Sequence, residues 1–348
     1  MLETPRLYLD HAATTPVLPA VREAMMAAME IWANPSSPHS DGRAAKAAVE
    51  DARARLGTAL GWDGEIIFTS GASEAITMAM DCDAPFFASA VEHDAVLACI
   101  GTGDLLPVSA DGLVDIDNIT QAGRYAIQSV NSETGVIQPL DRVGEAIRAA
   151  RGVWLADCSQ SAGKMPLADA DMIVISAHKL GGPPGVGALL LRELGLLKPT
   201  GGHEQGYRRG TENLPAIIGL SAAIEMSYEW MGEAAELRRL LDSAISAEGG
   251  EVVAEGSSRL DTISSYRMPG VSANGQLIAF DMAGISVSAG SACSSGTLKS
   301  SHVLKAMGWD DKAASEVIRV SFGPQTRKRD IERFMDLWRG IKQRATAA

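Results

Sequence analysis

Between about residue 18 and residue 195 the sequence alternates helix-period segments with short apolar runs, and this alternation limits the fold more than any other feature. Pro19 to Ile31 reads as a helix, and Arg43 to Leu60 as a longer, alanine-rich one. Glu65-Ile66-Ile67-Phe68-Thr69 is a short apolar run ending in a glycine turn, the pattern of a buried strand. Similar runs lie at 126–130, 153–156, 172–176 and 187–191. Strands alternating with helices require a mostly parallel sheet covered on both faces, so the fold class is α/β. From Leu214 to Ala247 the helical pattern is nearly continuous. After it, 262–266 and 276–280 read as strands and Lys328 to Ala345 as a terminal helix. A chain of 348 residues, 46% hydrophobic, can fill one large core and a smaller one. We place a large domain at 13–239 and a small one at 240–348, with residues 1–12 packed against it.

Charge and cysteine usage exclude several functions. The net charge of −12 disfavours direct nucleic-acid binding, and Arg327-Lys328-Arg329 reads as a solvated helix start. No run of about 18 apolar residues spans a membrane. The N-terminus lacks the basic-then-apolar order of a secretory signal, so a cytoplasmic location is expected. Cys82, Cys99, Cys158 and Cys293 form neither a CxxC pair nor a zinc spacing. They read as free thiols, and no metal site is expected.

Four segments carry the chemistry. In an open α/β sheet, ligands sit beyond the carboxyl ends of the strands. Thr69-Ser70-Gly71-Ala72-Ser73-Glu74 joins a strand to a helix, and small residues at a helix start suit an anion. Alone, it reads first as an ordinary serine N-cap, with Glu74 helping the first turn. Trp154-Leu155-Ala156-Asp157-Cys158-Ser159-Gln160 puts a carboxylate directly after a buried strand. That is costly unless the carboxylate meets a cation or donor, such as a protonated pyridine nitrogen, or caps the next helix. Met172-Ile173-Val174-Ile175-Ser176-Ala177-His178-Lys179 ends an apolar strand in a lysine, followed by the glycine-proline loop 181–187. A buried amine there is available for carbonyl chemistry, and a snorkelling lysine is the alternative. Asp157 and Lys179 are separated by room for one loop and one strand, so the two can face each other across a cofactor. Finally, Ser288-Ala289-Gly290-Ser291-Ala292-Cys293-Ser294-Ser295-Gly296 sets one cysteine among small residues, as suits a nucleophile on a mobile loop.

Taken in order, these segments resemble the cysteine desulfurases of the NifS and IscS type, within the class-V aminotransferase-like group. The resemblance runs from Tyr8-Leu9-Asp10-His11-Ala12-Ala13-Thr14-Thr15 to Ile318-Arg319-Val320-Ser321-Phe322-Gly323. It implies fold type I of the pyridoxal 5'-phosphate enzymes and release of alanine from L-cysteine. By the same resemblance Lys179 holds the cofactor and removes the α-proton, Asp157 pairs with the pyridine nitrogen, and His93 stacks on the ring. Gln160 contacts the phenolic oxygen, and Ala72, Ser73, Ser176 and His178 hold the phosphate. Thr211, in Arg208-Arg209-Gly210-Thr211, reaches the phosphate of the other subunit of a homodimer. Asn34 and Arg319 bind the substrate carboxylate, and Cys293 takes the sulfur as a persulfide for an acceptor protein or thiol.

The chain departs from the family pattern at Ser132, where a cofactor-contacting asparagine is usual, and at Ser73, where threonine is common. Members serving the general iron–sulfur scaffold usually continue past the last helix, whereas this sequence stops at Ala348, so weak or transient transfer to such a scaffold is expected. Iron–sulfur assembly and tRNA thiolation share this kind of sulfur donor. The same fold also serves selenocysteine lyases and class-V transaminases, and a transaminase has no need of the Cys293 loop. A non-catalytic interaction subunit is the reading from another class, and the joint presence of Lys179, Asp157, His93 and Cys293 argues against it.

Overall fold

Apolar runs bounded by turn residues assemble into a seven-stranded sheet in the computed structural model, which describes residues 6–101, 104–226, 230–290 and 301–347. The strand order is Glu65–Thr69, Gly187–Leu191, Met172–Ser176, Val153–Asp157, Arg124–Ala126, Phe86–Ser89, Asp104–Leu106. Gly187–Leu191 runs antiparallel to both its neighbours and the remaining pairs are parallel. Six strands therefore point one way, and their carboxyl ends share one edge.

The period-2 alternation of the strands feeds a core on each face. On one side Ile66, Phe68, Trp154, Ala156, Ile173 and Ile175 pack under the helices Ser40–Leu60, Leu140–Ala149 and Leu214–Glu225. On the other, Ile67, Leu155, Met172, Val174 and Leu189 meet the helices Ala72–Met80 and Asp94–Ile100.

A further core joins both ends of the chain. Leu7 and Leu9 pack with Leu241, Tyr266, Phe280, Ile318, Phe334 and Trp338. Val317–Ser321, Ile263–Arg267 and Glu251–Val252 form an antiparallel three-stranded sheet beside it, and Leu7–Tyr8 pairs in parallel with Ile285–Ser286.

Several elements differ from the sequence reading. The run 276–280 is not a strand but part of the helix Ala273–Met282, capped by the Ser272 hydroxyl, which accepts from Gly275 N–H at 3.2 Å. Gln276 and Phe280, four apart, are its most deeply buried side chains, which is helical spacing. The pattern from Leu214 to Ala247 is divided into Leu214–Glu225 and Met231–Ala247. The first helix ends at Glu225 rather than running on, and the strand expected at 126–130 lies at Arg124–Ala126. The first helix of the chain stops at Ala28, short of Ile31.

Candidate active site

The carboxyl ends of the parallel strands and the amino end of the reversed strand converge on a pocket of about 360 Å³. Ser70 to Glu74 follow the first strand of the sheet, and His93 follows Phe86–Ser89. Gln128, Val130 and Ser132 follow Arg124–Ala126, and Asp157, Ser159 and Gln160 close Val153–Asp157. Ser176, His178 and Lys179 come from Met172–Ser176 and the 3-10 turn after it. Pro184, Gly185 and Val186 lead into the reversed strand.

One wall is built for an anion. The helix Ala72–Met80 begins at Gly71, whose φ of 149° is open to glycine and strained for other residues. Ser73 is thus in the first helical turn and is not the N-cap. A Cβ at Gly187 would lie 2.8 Å from Gly71 Cα and 2.5 Å from the Ile175 carbonyl, so glycine allows the backbones to close here. Opposite stand the buried Ser176 and half-buried His178. Burial first, then the Lys179 charge, lower the His178 pKa to about 4, so its ring is neutral at physiological pH. His178 Nδ1 is 3.2 Å from Thr14 Oγ1.

Lys179 Nζ donates to the carbonyls of Ala12 at 2.7 Å and Ala13 at 2.9 Å. Gln160 Nε2 donates to the same Ala12 carbonyl at 3.0 Å, while Gln160 Oε1 is buried with no hydrogen-bond partner among the described residues. Asp157 Oδ1 accepts from Ser159 N–H at 2.9 Å, and Ser159 Oγ is likewise buried and unpartnered. His93 caps the helix Asp94–Ile100: its Nδ1 accepts from Ala95 N–H at 3.1 Å, placing the proton of a neutral ring on Nε2. Behind this floor, Glu92 Oε1 accepts from Gln128 N–H at 2.9 Å. Full burial, with the Asp157 charge also raising it, holds the Glu92 carboxyl well above the usual carboxylate range.

Nine of the residues chosen from the sequence line this pocket: Ala72, Ser73, His93, Ser132, Asp157, Gln160, Ser176, His178 and Lys179. Asn34, Thr211 and Arg319 do not. Arg319 is one step removed: its Nη1 donates to the Ser132 carbonyl at 3.0 Å and its Nη2 to Asp10 at 2.8 Å. Asn34 and Thr211 are exposed. Ser36, two residues after Asn34, meets His203 at 3.2 Å, and His203 pairs with Glu212, next to Thr211. Cys293 lies outside the described residues.

The sequence reading missed Gln128 and Glu92, and it named the 181–187 loop without making it a wall of the pocket; position just after a strand, or just before the reversed one, was the available signal. Of the described cysteines, Cys158 is fully buried, and burial raises its thiol pKa, which suits packing and not nucleophilic chemistry. A larger groove of about 810 Å³ runs along Arg6 to Arg22 and the start of the last helix. It lacks the convergent strand ends and the lysine, so we place the chemistry in the smaller pocket.

Residues 7–334 match the family model described as aminotransferase class-V. Cysteine desulfurase IscS 1 of Archaeoglobus fulgidus is 34% identical, with 97% of each chain aligned. Among solved structures, a NifS-like protein from Rickettsia africae matches with a TM-score of 0.89 at 30% identity, covering 97% of this chain and 99% of that one. SspA, solved in complex with cysteine, matches with a TM-score of 0.80 at 28% identity over 92% of this chain and all of that one.

Proposed function

This chain belongs to the class-V aminotransferase family, and on that premise we propose that it is a pyridoxal-phosphate-dependent cysteine desulfurase. The observation that carries the reading is the Lys179 amine at the base of a pocket with an anion cradle on one wall and the Asp157 carboxylate on another. The donor set fits the cofactor. The start of the helix at Ala72, the Ser73 and Ser176 hydroxyls and His178 suit its phosphate; Asp157 suits its pyridine nitrogen. The orphaned Gln160 oxygen and Ser159 hydroxyl are buried polar groups that a bound polar ligand would satisfy. Bound there, pyridoxal phosphate supplies an electron sink for bond breaking at the substrate α-carbon.

The remaining work falls to the chain itself. Lys179 holds the cofactor and then moves the α-proton, with the Ala12 and Ala13 carbonyls orienting its nitrogen. His93 covers the ring, and the neutral His178 donates to the phosphate. Ser132 takes the place of the usual asparagine contact. Arg319, already fixed by Asp10, binds the substrate carboxylate together with Asn34. The Cys293 thiolate forms a bond to the substrate sulfur as the carbon–sulfur bond breaks, leaving a persulfide on Cys293 and releasing alanine. An acceptor protein or small thiol then takes the sulfur, and iron–sulfur assembly is one pathway it feeds. Thr211 and Asn34, on one exposed edge, serve the phosphate and substrate sites of a second copy of the chain in a homodimer.

Borohydride treatment of cofactor-saturated protein, followed by peptide mapping, tests the reading. The adduct is expected on Lys179, and an adduct elsewhere or none at all overturns it. In the same preparation Cys293→Ala should keep the cofactor absorbance and lose alanine release from cysteine, while Cys158→Ala keeps most of it.

A further inference from the structure

The edge that carries Asn34 and Thr211 turns on one imidazole, to which neither the sequence motifs nor the reaction outlined above gives a task. His203 Nδ1 is 3.1 Å from Glu212 Oε1 and 3.2 Å from Ser36 Oγ. A carboxylate only accepts, so Nδ1 carries the proton and shares it between the two oxygens. One branch reaches the residue next to Thr211. The other reaches the turn that holds Asn34: Ser36 N–H donates to Asn34 Oδ1 at 2.9 Å, and Ser37 N–H to the Asn34 carbonyl at 3.0 Å. With Oδ1 engaged by its own turn, the Asn34 amide keeps its Nδ2 protons to donate, which is what a substrate carboxylate accepts.

The imidazole is itself held. His203 N–H donates to the Arg208 carbonyl at 2.7 Å, and Gly206 N–H to the His203 carbonyl at 2.9 Å. Glu204 and Gln205, which follow it, have φ of 47° and 57°, a left-handed pair that is costly for residues with a Cβ. Glu204 keeps that turn in place through Arg53 and Phe68 N–H. Backbone strain is therefore held at the point where His203 meets two separate segments. We propose that His203 is a positioning residue that acts through Asn34: its Nδ1–H fixes Ser36, and Ser36 fixes the amide that binds the substrate carboxylate. The proposal rests on the functional reading above, in which Asn34 contacts that carboxylate.

The test follows alanine release from cysteine by the full holoenzyme, with KM and kcat separated. His203→Ala should raise KM about tenfold and leave kcat within about twofold. His203→Asn sets an amide N–H where Nδ1 stood and should return KM to near the wild-type value. His203→Gln sets it where Nε2 stood and should behave as His203→Ala. Ser36→Ala leaves the strained turn untouched; it should reproduce the rise, and it serves where His203→Ala does not fold. Adding His203→Ala to Asn34→Ala should raise KM no further than Asn34→Ala alone. An unmoved KM in His203→Ala or Ser36→Ala, equal rises in His203→Asn and His203→Ala, or effects that add to Asn34→Ala overturn the proposal. The two readings fail separately. If Asn34→Ala leaves KM unchanged, or borohydride leaves no adduct on Lys179, the functional reading falls and takes the proposal with it. If Asn34→Ala raises KM and His203→Ala does not, only the positioning role falls.

Discussion

At His11 the protein spends stability to keep a ring neutral. The imidazole is buried against Gly323, where an added Cβ would lie 2.0 Å from His11 Cε1, and it meets Tyr8 edge-on at 5.0 Å. Its Nδ1 has no hydrogen-bond partner among the described residues. Burial, then the Lys164 charge, lower its pKa from 6.5 to about 4. Between those values the unfolded chain binds a proton that the native ring refuses, so stability present above pH 6.5 is lost as pH falls toward 4. One such group accounts for a loss of about 3 kcal/mol over the window. His11→Phe keeps the ring and removes the titration, so its unfolding free energy should fall less between those limits than wild type, the half-buried His178 supplying part of the remaining slope. Parallel wild-type and variant curves in urea titrations would refute this. The same residue shows where sequence reading stops. Lys179 and Asp157 announce themselves by standing at the ends of apolar strands, but His11, Glu92 and Lys164 become informative only through burial and neighbours distant in sequence. Ser73 illustrates a smaller difference: its residue type suggests an N-cap, but the φ open to Gly71 moves the helix start two residues earlier than a Ser73 cap allows.

Between elements, one buried polar cluster ties the helix Met231–Ala247 to the strand Ile263–Arg267. Asp242 accepts from Tyr266 Oη at 2.7 Å and from Arg259 Nη2 at 2.8 Å, and Arg259 Nη1 donates to Ser264 Oγ at 2.6 Å. The Arg259 side chain is 3% exposed, so it cannot turn to water if its partner is lost. Asp242→Ala should therefore cost about 3–5 kcal/mol by leaving a buried guanidinium unpaired. Tyr266→Phe, which removes one hydrogen bond, should cost about 1 kcal/mol. Denaturant unfolding checks both, and a cost under about 1 kcal/mol for Asp242→Ala would show that the charge finds solvent. None of this was legible from one strand or one helix. What was legible were the strands Glu65–Thr69, Met172–Ser176 and Gly187–Leu191, where β-branched and leucine-rich runs are bounded by turn residues. The run 276–280 failed because five apolar-rich residues fit either period, and only its packing on Phe334 and the Ser272 cap make it a helix. The parallel direction was readable from the alternation with helices; the reversal of Gly187–Leu191, which needs only the short loop 181–186 after Lys179, was not.

For the whole molecule, the arrangement of Asn34 and Thr211 has a consequence that a single chain cannot express. Both belong to the set assigned to cofactor and substrate, yet both are exposed and neither lines the pocket of its own chain. They lie near one another along the edge where Ser36, His203 and Glu212 meet. Glu204, beside His203, is buried and fixed by Arg53 at 2.8 and 3.0 Å and by Phe68 N–H at 2.7 Å, so this edge is anchored to the strand that leads to the anion wall. An anchored polar edge with no use in its own protomer suits a site completed by a second copy, and isologous contact would complete two sites at once. Thr211→Asp should weaken cofactor retention by setting a carboxylate against the phosphate, and Lys179→Ala should abolish turnover. Mixing the two inactive proteins under conditions that exchange subunits then places an intact Lys179 and an intact Thr211 in one site of each heterodimer. With free exchange half the dimers are mixed and half their sites intact, so alanine release should return to about a quarter of the wild-type level. Activity that stays absent after exchange is verified by mass, or a fully active monomer, would mean that each chain completes its own site.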